Sequence, residues 1–452
     1  MLTYELKKSS GVPLYEALYR CIRGDILSGA LRPGEKLPSK RALAENLEVS
    51  KITVEAAYSQ LLSEGYICSK EKVGYFVETV ERRNPVPAAP ALRPKEDAAC
   101  LLDLTANGTE QFPFSVWSRL QREVMLDFGE ALLAPLPNRG IPELRQAIAG
   151  HLAAFRGMRV DPENILIGAG TDFLYNLLIQ LLGREKIYAV EEPGYGKIRK
   201  IYAAGGVQTV SAAMDDRGVL PESLGSADVL HISPSHHFPT GIVTPVSRRR
   251  ELLDWANRGK KWIIEDDYDS EFRFDAHPVP AMQSLDDGGR VNSFSKSLAP
   301  SIRISYMVLP GGLMAAFQQK LGFYSCTVPS FEQYTLARFI GRGFFEKHIN
   351  RMRKFYKSRR NTVVSLLENC SFSHKLTIQE QDAGLHFLLN VATSLSDQAL
   401  TEKLAALGIR VRALSSYYHD QSEDLHCLVI NYSGLKEERL AAALAAISQE
   451  WT

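Results

Sequence analysis

The chain has 452 residues, 45% hydrophobic and 23% charged, with a formal net charge of +1. This is globular composition, which excludes a disordered, collagenous or low-complexity chain, and the length allows a large core. With 53 basic against 52 acidic residues, a strongly basic nucleic-acid coat is excluded, though a local basic surface is not. No uninterrupted apolar run reaches about 18 residues, and no apolar segment follows Lys7 and Lys8, so neither a membrane span nor a signal peptide is expected. The six cysteines lie far apart without a Cys-x-x-Cys pair. They predict reduced thiols in a cytoplasmic protein, with no disulfide framework and no metal site.

Residues 1–78 read as three short helices and a hairpin. Leu14, Leu18, Cys21 and Ile22 share one helical face, between Pro13 and the stop at Gly29. Pro38-Ser39 opens a second helix containing Leu43 and Leu47. Ser50 caps a third with Val54, Ala57, Tyr58, Leu61 and Leu62 on one side. Tyr66-Ile67-Cys68 and Gly74-Tyr75-Phe76-Val77 alternate around Lys70-Glu71-Lys72 as a hairpin does. The pattern is a winged helix-turn-helix, with the short link Glu48-Val49-Ser50 as its turn. Ser50, Lys51 and Thr53 start the third helix, and Ser39, Lys40 and Arg41 start the second. Lys72 sits at the wing tip. These are residue types that meet base edges and phosphates from a helix in the major groove. A helical bundle that binds a protein is the other reading. The near-balanced local charge does not separate the two.

From residue 79 to 99 the chain holds Pro85, Pro87, Pro90 and Pro94 and few large apolar residues, which predicts a semi-rigid linker. Residues 100–452 then alternate strands with helices, an α/β pattern with a mainly parallel sheet and a smaller C-terminal subdomain. Ile165-Leu166-Ile167 runs into Gly168-Ala169-Gly170-Thr171 and a helix from Asp172 to Leu182, a turn that suits an anion. Further strands end at Glu191-Glu192, at Ser233 and at Glu265-Asp266-Asp267-Tyr268-Asp269. Ligands sit at such strand ends. Asp267 and Asp269 read as helix caps or solvated charges.

The segment Asn292-Ser293-Phe294-Ser295-Lys296-Ser297 followed by Arg303 suits a phosphorylated aldehyde. The amine forms a Schiff base, while hydroxyls and guanidinium hold phosphate. Asp266 suits a pyridinium nitrogen, Tyr268 a ring hydroxyl and Tyr195 a stacked ring. Ser293-Phe294-Ser295-Lys296 also fits the Ser-x-x-Lys of acyl-enzyme hydrolases, but the chain has no Lys-Thr-Gly or Ser-Asp-Asn partner.

The first region resembles GntR-type winged-helix repressors through Pro13-Leu14-Tyr15, the run Gly34 to Arg41, Thr53-Val54, Ala57-Tyr58 and Glu64-Gly65-Tyr66. The rest resembles fold-type I aminotransferases. The whole chain is similar to the MocR/GabR group of regulators through Glu192-Pro193-Gly194-Tyr195, Phe238-Pro239-Thr240-Gly241, the run Glu265 to Phe272, Phe294-Ser295-Lys296 and Ala383-Gly384-Leu385-His386. The resemblance implies that Lys296 binds pyridoxal 5'-phosphate as an internal aldimine. Asp266 would meet the ring nitrogen, Tyr268 the ring oxygen, and Tyr195 the ring face. Gly170, Thr171, Ser293, Ser295 and Arg303 would hold the phosphate. It further implies a head-to-tail homodimer on double-stranded operator DNA, responding to the cofactor or to a small amine effector.

Two departures stand out. Aminotransferases carry Asn where this chain has Phe238, and a carboxylate-clamping Arg where it has Val429. Both favour a regulator over the alternative, a working aminotransferase with an appended head, and they favour the cofactor itself as signal. Lys197, Arg199, Arg410 and Arg412 are conceivable replacement anchors, although the last two read as surface charge on an edge strand. The basic run from Arg351 to Arg360 reads as a solvated helix face, with an accessory DNA-phosphate surface as the alternative.

Overall fold

The computed structural model describes residues 2–4, 6, 13–71, 73–79, 100–106, 108, 111–268, 271–272, 280–286, 288–289, 291–296, 302–379, 384–419 and 423–451. For residues 292–296, 450 and 451 it describes the backbone alone. Lys72 and all but the first residue of the expected linker lie outside these residues. Two compact units are present, Met1–Lys95 and Glu96–Thr452.

The first unit contains α1 (Leu14–Ser28), α2 (Lys40–Asn46), α3 (Lys51–Ser63), β1 (Ile67–Lys70) and β2 (Gly74–Val77). Each start follows from its cap. Ser39 Oγ accepts from Ala42 N–H and Ser50 Oγ from Thr53 N–H, both at 3.1 Å. α1 stops at Gly29, whose φ of 82° is left-handed backbone that glycine adopts without a Cβ penalty. Leu18, Ile22, Leu43, Val54, Ala57, Tyr58 and Leu61 form a core with no solvent exposure. The Tyr58 hydroxyl donates to Pro38 O at 2.9 Å, tying α3 to the entry of α2. β1 and β2 pair antiparallel, Ile67 opposite Val77, and Leu37 N–H donates to Tyr75 O at 2.9 Å. That contact fixes the wing against the helical part.

The second unit opens with β3 (Leu102–Asp103), α4 (Phe114–Phe128) and α5 (Pro142–Arg156). Its main sheet is built from β4 (Ile165–Gly168), β5 (Ile187–Glu192), β6 (Gln208–Asp215), β7 (Gly218–Val219), β8 (Val229–Ile232), β9 (Trp262–Asp266), β10 (Val291–Lys296) and β11 (Ser305–Val308). Between these run α6 (Thr171–Leu182), α7 (Gly196–Ala204), α8 (Val246–Gly259) and α9 (Met282–Leu285). The strand order is β4-β11-β10-β9-β8-β5-β6-β7. β10, β9, β8, β5 and β6 are parallel, β11 runs against both its neighbours, and β7 runs against β6. Alternation divides the buried residues between two helical layers. Leu166 and Met307 pack with the α6 layer, whereas Ile165, Ile167 and Val308 pack on the other side.

The chain continues through α10 (Gly311–Leu321), α11 (Ser330–Gly341) and α12 (Phe344–Glu368) to a smaller sheet. This comprises β12 (Leu376–Gln379), β13 (His386–Val391), β15 (Arg412–Ala413) and β16 (Cys427–Asn431), ordered β12-β13-β16-β15 and antiparallel throughout. α13 (Asp397–Ala406), β14 (Ile409–Arg410), which pairs with β3, and α14 (Glu437–Trp451) complete the unit. Among the described residues no helix is long and apolar enough to cross a membrane.

The basic run on α12 is only in part a solvated face: Arg351 and Lys354 are exposed, whereas the other guanidiniums are engaged within the unit. Arg353 Nε donates to Glu271 O, Arg359 to Ser433 O and Arg351 to Gln111 O, while the Arg360 side chain is buried. These guanidiniums close orphan carbonyls of surrounding loops, a long-range role that charge spacing along one helix does not reveal.

Candidate functional site

Four chain segments meet at one end of the main sheet, where the parallel strands finish. β4 ends at Gly168, which pairs with Ser305 at the start of β11, and Ser305 pairs with Lys296 at the end of β10. On the next strand Asp266 pairs with Phe294. Register alone therefore brings the backbone of Lys296 between the turn after β4 and the acid at the end of β9. The side chains of Ser293, Ser295 and Lys296 lie outside what is described.

The turn after β4 has the geometry of an anion cradle. Gly170 has φ 92°, and a Cβ there would lie 2.4 Å from Arg303 Nη2. The guanidinium therefore closes on the turn because position 170 lacks a side chain. Arg303 Nη2 donates to Ala169 O at 3.1 Å, and Arg303 itself takes a left-handed φ of 56°. Thr171 starts α6, whose first N–H groups have no partners within the helix. Asp172 on the same turn is shared by Lys197 at 2.7 Å and Arg303 at 3.6 Å.

Asp266 is buried, and the Tyr175 hydroxyl donates to its Oδ2 at 2.6 Å. His231 Nε2 stands 3.9 Å from the same oxygen, and His231 Nδ1 shares a 2.6 Å hydrogen bond with the Tyr202 hydroxyl. Burial, reinforced by the Asp266 charge, holds the Tyr175 phenol well above its usual pKa, so it stays a donor. Tyr175 lies four residues after Thr171, on the same face of α6. That spacing was the sequence signal for it, and sequence reasoning missed it together with His231.

Tyr268 sits with its hydroxyl 3.5 Å from His236 Nδ1. The His236 ring occupies the space beside Gly384, where a Cβ would lie 1.8 Å from Cε1, and its centroid is 4.7 Å from that of His386. His386 Nε2 lies 3.1 Å from Pro239 O. A carbonyl only accepts, so Nε2 carries the proton; burial, then the neighbouring His236, hold this ring neutral. Phe238 makes edge contacts with Tyr195, His386 and Tyr417 at 5.8, 5.0 and 5.2 Å. Tyr195 caps α7 and is 47% exposed, its ring standing at the mouth of the site.

Asp267 corrects its sequence reading. It is neither a cap nor solvated, but a buried partner of Arg156 at the end of α5. Burial works against the Arg156 charge, but Asp267, Glu271 and Glu265 outweigh it and raise its pKa. Both partners come from distant parts of the chain, which composition does not pair.

The donor set fits pyridoxal phosphate. The cradle at Gly170, Thr171 and Arg303 matches a phosphate dianion. The buried Asp266 carboxylate, already holding one donor, matches a protonated ring nitrogen. The Tyr268 phenol matches a ring oxygen.

In the first unit, the residues expected to meet DNA lie at the starts of α2 and α3. Lys40 pairs with Glu55 at 2.7 Å and Arg41 with Glu45 at 2.9 Å, ion pairs open to solvent that phosphate can displace. Ser50 and Thr53 share a 2.8 Å hydrogen bond. Between Lys51 and Thr53, Ile52 is 77% exposed. Sequence reasoning passed over it, although an apolar residue off the buried stripe of a helix was the signal.

A winged helix-turn-helix and an aminotransferase-like unit in one chain define a DNA-binding regulator built on an enzyme fold. Residues 14–77 match the bacterial regulatory proteins of the gntR family, and residues 101–447 match aminotransferase class I and II. The HTH-type regulator YdeL of Bacillus subtilis is 35% identical, with 100% of this chain and 99% of YdeL covered. The probable rhizopine catabolism regulatory protein MocR of Rhizobium meliloti is 32% identical (98% and 94% covered), and the pyridoxine biosynthesis regulator PdxR of Corynebacterium glutamicum 30% (94% and 93%). Among solved structures, an archaeal alanine:glyoxylate aminotransferase shares the fold, with a TM-score of 0.69 at 23% identity over 77% of this chain and 90% of that one. The chain belongs to the MocR-type transcriptional regulators.

Proposed function

We propose that this regulator holds pyridoxal 5'-phosphate on Lys296 and that the state of the pocket sets its affinity for operator DNA. When bound, the cofactor supplies an aldehyde that condenses with primary amines and a ring that withdraws electrons. Gly170, Thr171, Ser293, Ser295 and Arg303 bind its phosphate. Asp266 keeps the ring nitrogen protonated, the hydroxyl of Tyr175 fixes that carboxylate, Tyr268 bonds the ring oxygen and Tyr195 covers the ring face. The observation that carries this reading is the buried Tyr175–Asp266 pair beside a glycine-dependent guanidinium cradle. A merely structural domain has no use for that combination.

The same pocket argues for sensing over turnover. Phe238 has no amide to hold a ring oxygen, and Val429 is buried and apolar, so neither supplies the polar anchor of a working transaminase. The cofactor itself is then the leading signal, in a cytoplasmic head-to-tail homodimer whose two heads read two half-sites through Ser39, Lys40, Arg41, Ser50, Lys51, Thr53 and Lys72. Borohydride reduction of the loaded protein followed by peptide mass analysis tests the assignment. The phosphopyridoxyl mass on the peptide holding Lys296 supports it; an adduct on another lysine, or none, refutes it. Sustained transamination by the purified protein would instead favour the enzyme.

A further inference from the structure

A second cavity lies at the other end of the main sheet, beside the starts of β4 and β10 and the end of β11. It measures about 180 Å³ and is walled by the loop from Met158 to Asn164, by α9 and by the turn that follows α9. A cavity of about 150 Å³ holds benzene, so this one has room for a small organic ligand. Lys296 stands at the far end of β10, ~17 Å along the strand from Val291, so the two sites are separate.

The lining is amphiphilic. Met158, Val291, Val308 and Leu309 are buried and give it an apolar floor. Arg159, Asn164 and Gln283 bring polar ends. Gln283 Oε1 is buried without a hydrogen-bond partner, and a buried carbonyl left in that state is costly. An amide oxygen only accepts, so the partner that satisfies it is an O–H or N–H donor. Arg159 is exposed, and among the described residues no carboxylate pairs with it. The acids nearby are engaged by backbone. Asp286 accepts from Gly288 N–H at 2.9 Å and Val291 N–H at 2.8 Å, and Asp161 accepts from Glu163 N–H at 2.9 Å. The cavity therefore offers an unneutralised cation, an acceptor in want of a donor, and apolar surface between them.

Both walls are anchored to the neighbours of Asp266. Met282 N–H and Gln283 N–H donate to the fully buried Glu265 carboxylate at 2.8 and 3.2 Å. On the other wall Arg156, three residues before Arg159, pairs with Asp267. A ligand that favours one setting of these walls therefore acts on β9 from both sides of Asp266. We propose that this cavity is a second small-molecule site, that it takes a hydroxy acid of about six to eight non-hydrogen atoms, and that its occupant adjusts the affinity for pyridoxal phosphate. The carboxylate meets Arg159, the hydroxyl donates to Gln283 Oε1, and the carbon chain lies on the apolar floor. The coupling, though not the binding, rests on the assignment of pyridoxal phosphate to the pocket at Lys296.

Two measurements on the full chain test it. In the first, 3-hydroxybutyrate and glycerate are titrated calorimetrically into the protein without cofactor. Butyrate, which lacks the hydroxyl, and glycerol, which lacks the charge, are the comparison probes. At least one hydroxy acid should bind ~10-fold or more tighter than either comparison probe, and Arg159→Gln and Gln283→Met should each weaken it by ~10-fold or more. No binding by either hydroxy acid, butyrate binding as tightly, or an unchanged affinity in either variant overturns the site. In the second, the Kd for pyridoxal phosphate is measured by absorbance with and without the hydroxy acid at saturation. It should change by ~3-fold or more in the wild type and stay within ~1.5-fold in Arg159→Gln. An equal Kd with and without the hydroxy acid in the wild type overturns the coupling. Failure of the wild type to bind pyridoxal phosphate would instead count against the pocket at Lys296, and the calorimetric arm would still decide on the cavity.

Discussion

Gly384 is the most demanding position in the site, and Gly384→Ala gives a prediction with a worked magnitude. An added Cβ would lie 1.8 Å from His236 Cε1 and 2.2 Å from Nδ1, both within a ring that is 2% exposed. The ring cannot retreat, because His386 stands 4.7 Å behind it and Tyr268 lies along its edge. Overpacking a site of this kind costs about 1–3 kcal/mol. The φ of 69° at position 384 adds about 1–2 kcal/mol for any residue with a Cβ. Together the variant should lose ~2–5 kcal/mol. All four tryptophans (Trp117, Trp255, Trp262 and Trp451) lie in the second unit, so urea unfolding followed by tryptophan fluorescence reports on that unit. In a His236→Ala background the same substitution should cost only the backbone share, a coupling of ~1 kcal/mol or more. Gly150→Ala is the control. It lies in α5 with nothing within 4 Å of the added methyl, and should gain about 1 kcal/mol. An unchanged urea midpoint for Gly384→Ala, or an equal loss with and without the His236 ring, would refute the packing argument.

Further outcomes follow from single contacts. Tyr175→Phe removes the 2.6 Å donor from the buried Asp266 carboxylate and should raise the dissociation constant of pyridoxal phosphate by ~10-fold or more, measured by equilibrium absorbance titration; an unchanged constant would show the pair to be irrelevant to the cofactor. Burial, aided by the charge of Arg156, pushes His151 down to about 4. The unfolded chain then takes up this proton first, so His151 stabilises above pH ~6.5 and that contribution fades as pH falls towards ~4. Between pH 7 and pH 5 the wild type should lose about 2 kcal/mol more than His151→Phe, read from urea midpoints at each pH. Equal pH slopes would contradict it. Arg41→Ala and Lys51→Ala should weaken operator binding and flatten its salt dependence, whereas Ile52→Ala should weaken it without changing the salt slope. An equal effect of salt on all three variants would place the DNA surface elsewhere.

Much of this was legible because the signals are local. Ser39 and Ser50 announce the starts of α2 and α3, and the hydrophobic stripe of α3 names Val54, Ala57, Tyr58 and Leu61, all fully buried. Strand ends named Asp266, and a glycine turn named Gly170 and Thr171. Trp262–Asp266 shows that the strand runs two residues further than its apolar core, so the acids belong to the sheet and not to a loop. What stayed hidden is pairing at long range. Tyr175 meets Asp266 across 91 residues. Arg156 finds Asp267, and His236 fills the space left by Gly384, only once the strands and the smaller sheet are assembled.

The central claim is that the pocket of the second unit controls DNA binding by the first. The most direct test takes a duplex enriched from a random-sequence library by the full chain and measures its Kd with and without pyridoxal phosphate, at fixed salt, for wild type and Lys296→Ala. The wild type should change by ~5-fold or more and Lys296→Ala not at all. Identical Kd values for the loaded and unloaded wild type, with loading verified by absorbance, would contradict it.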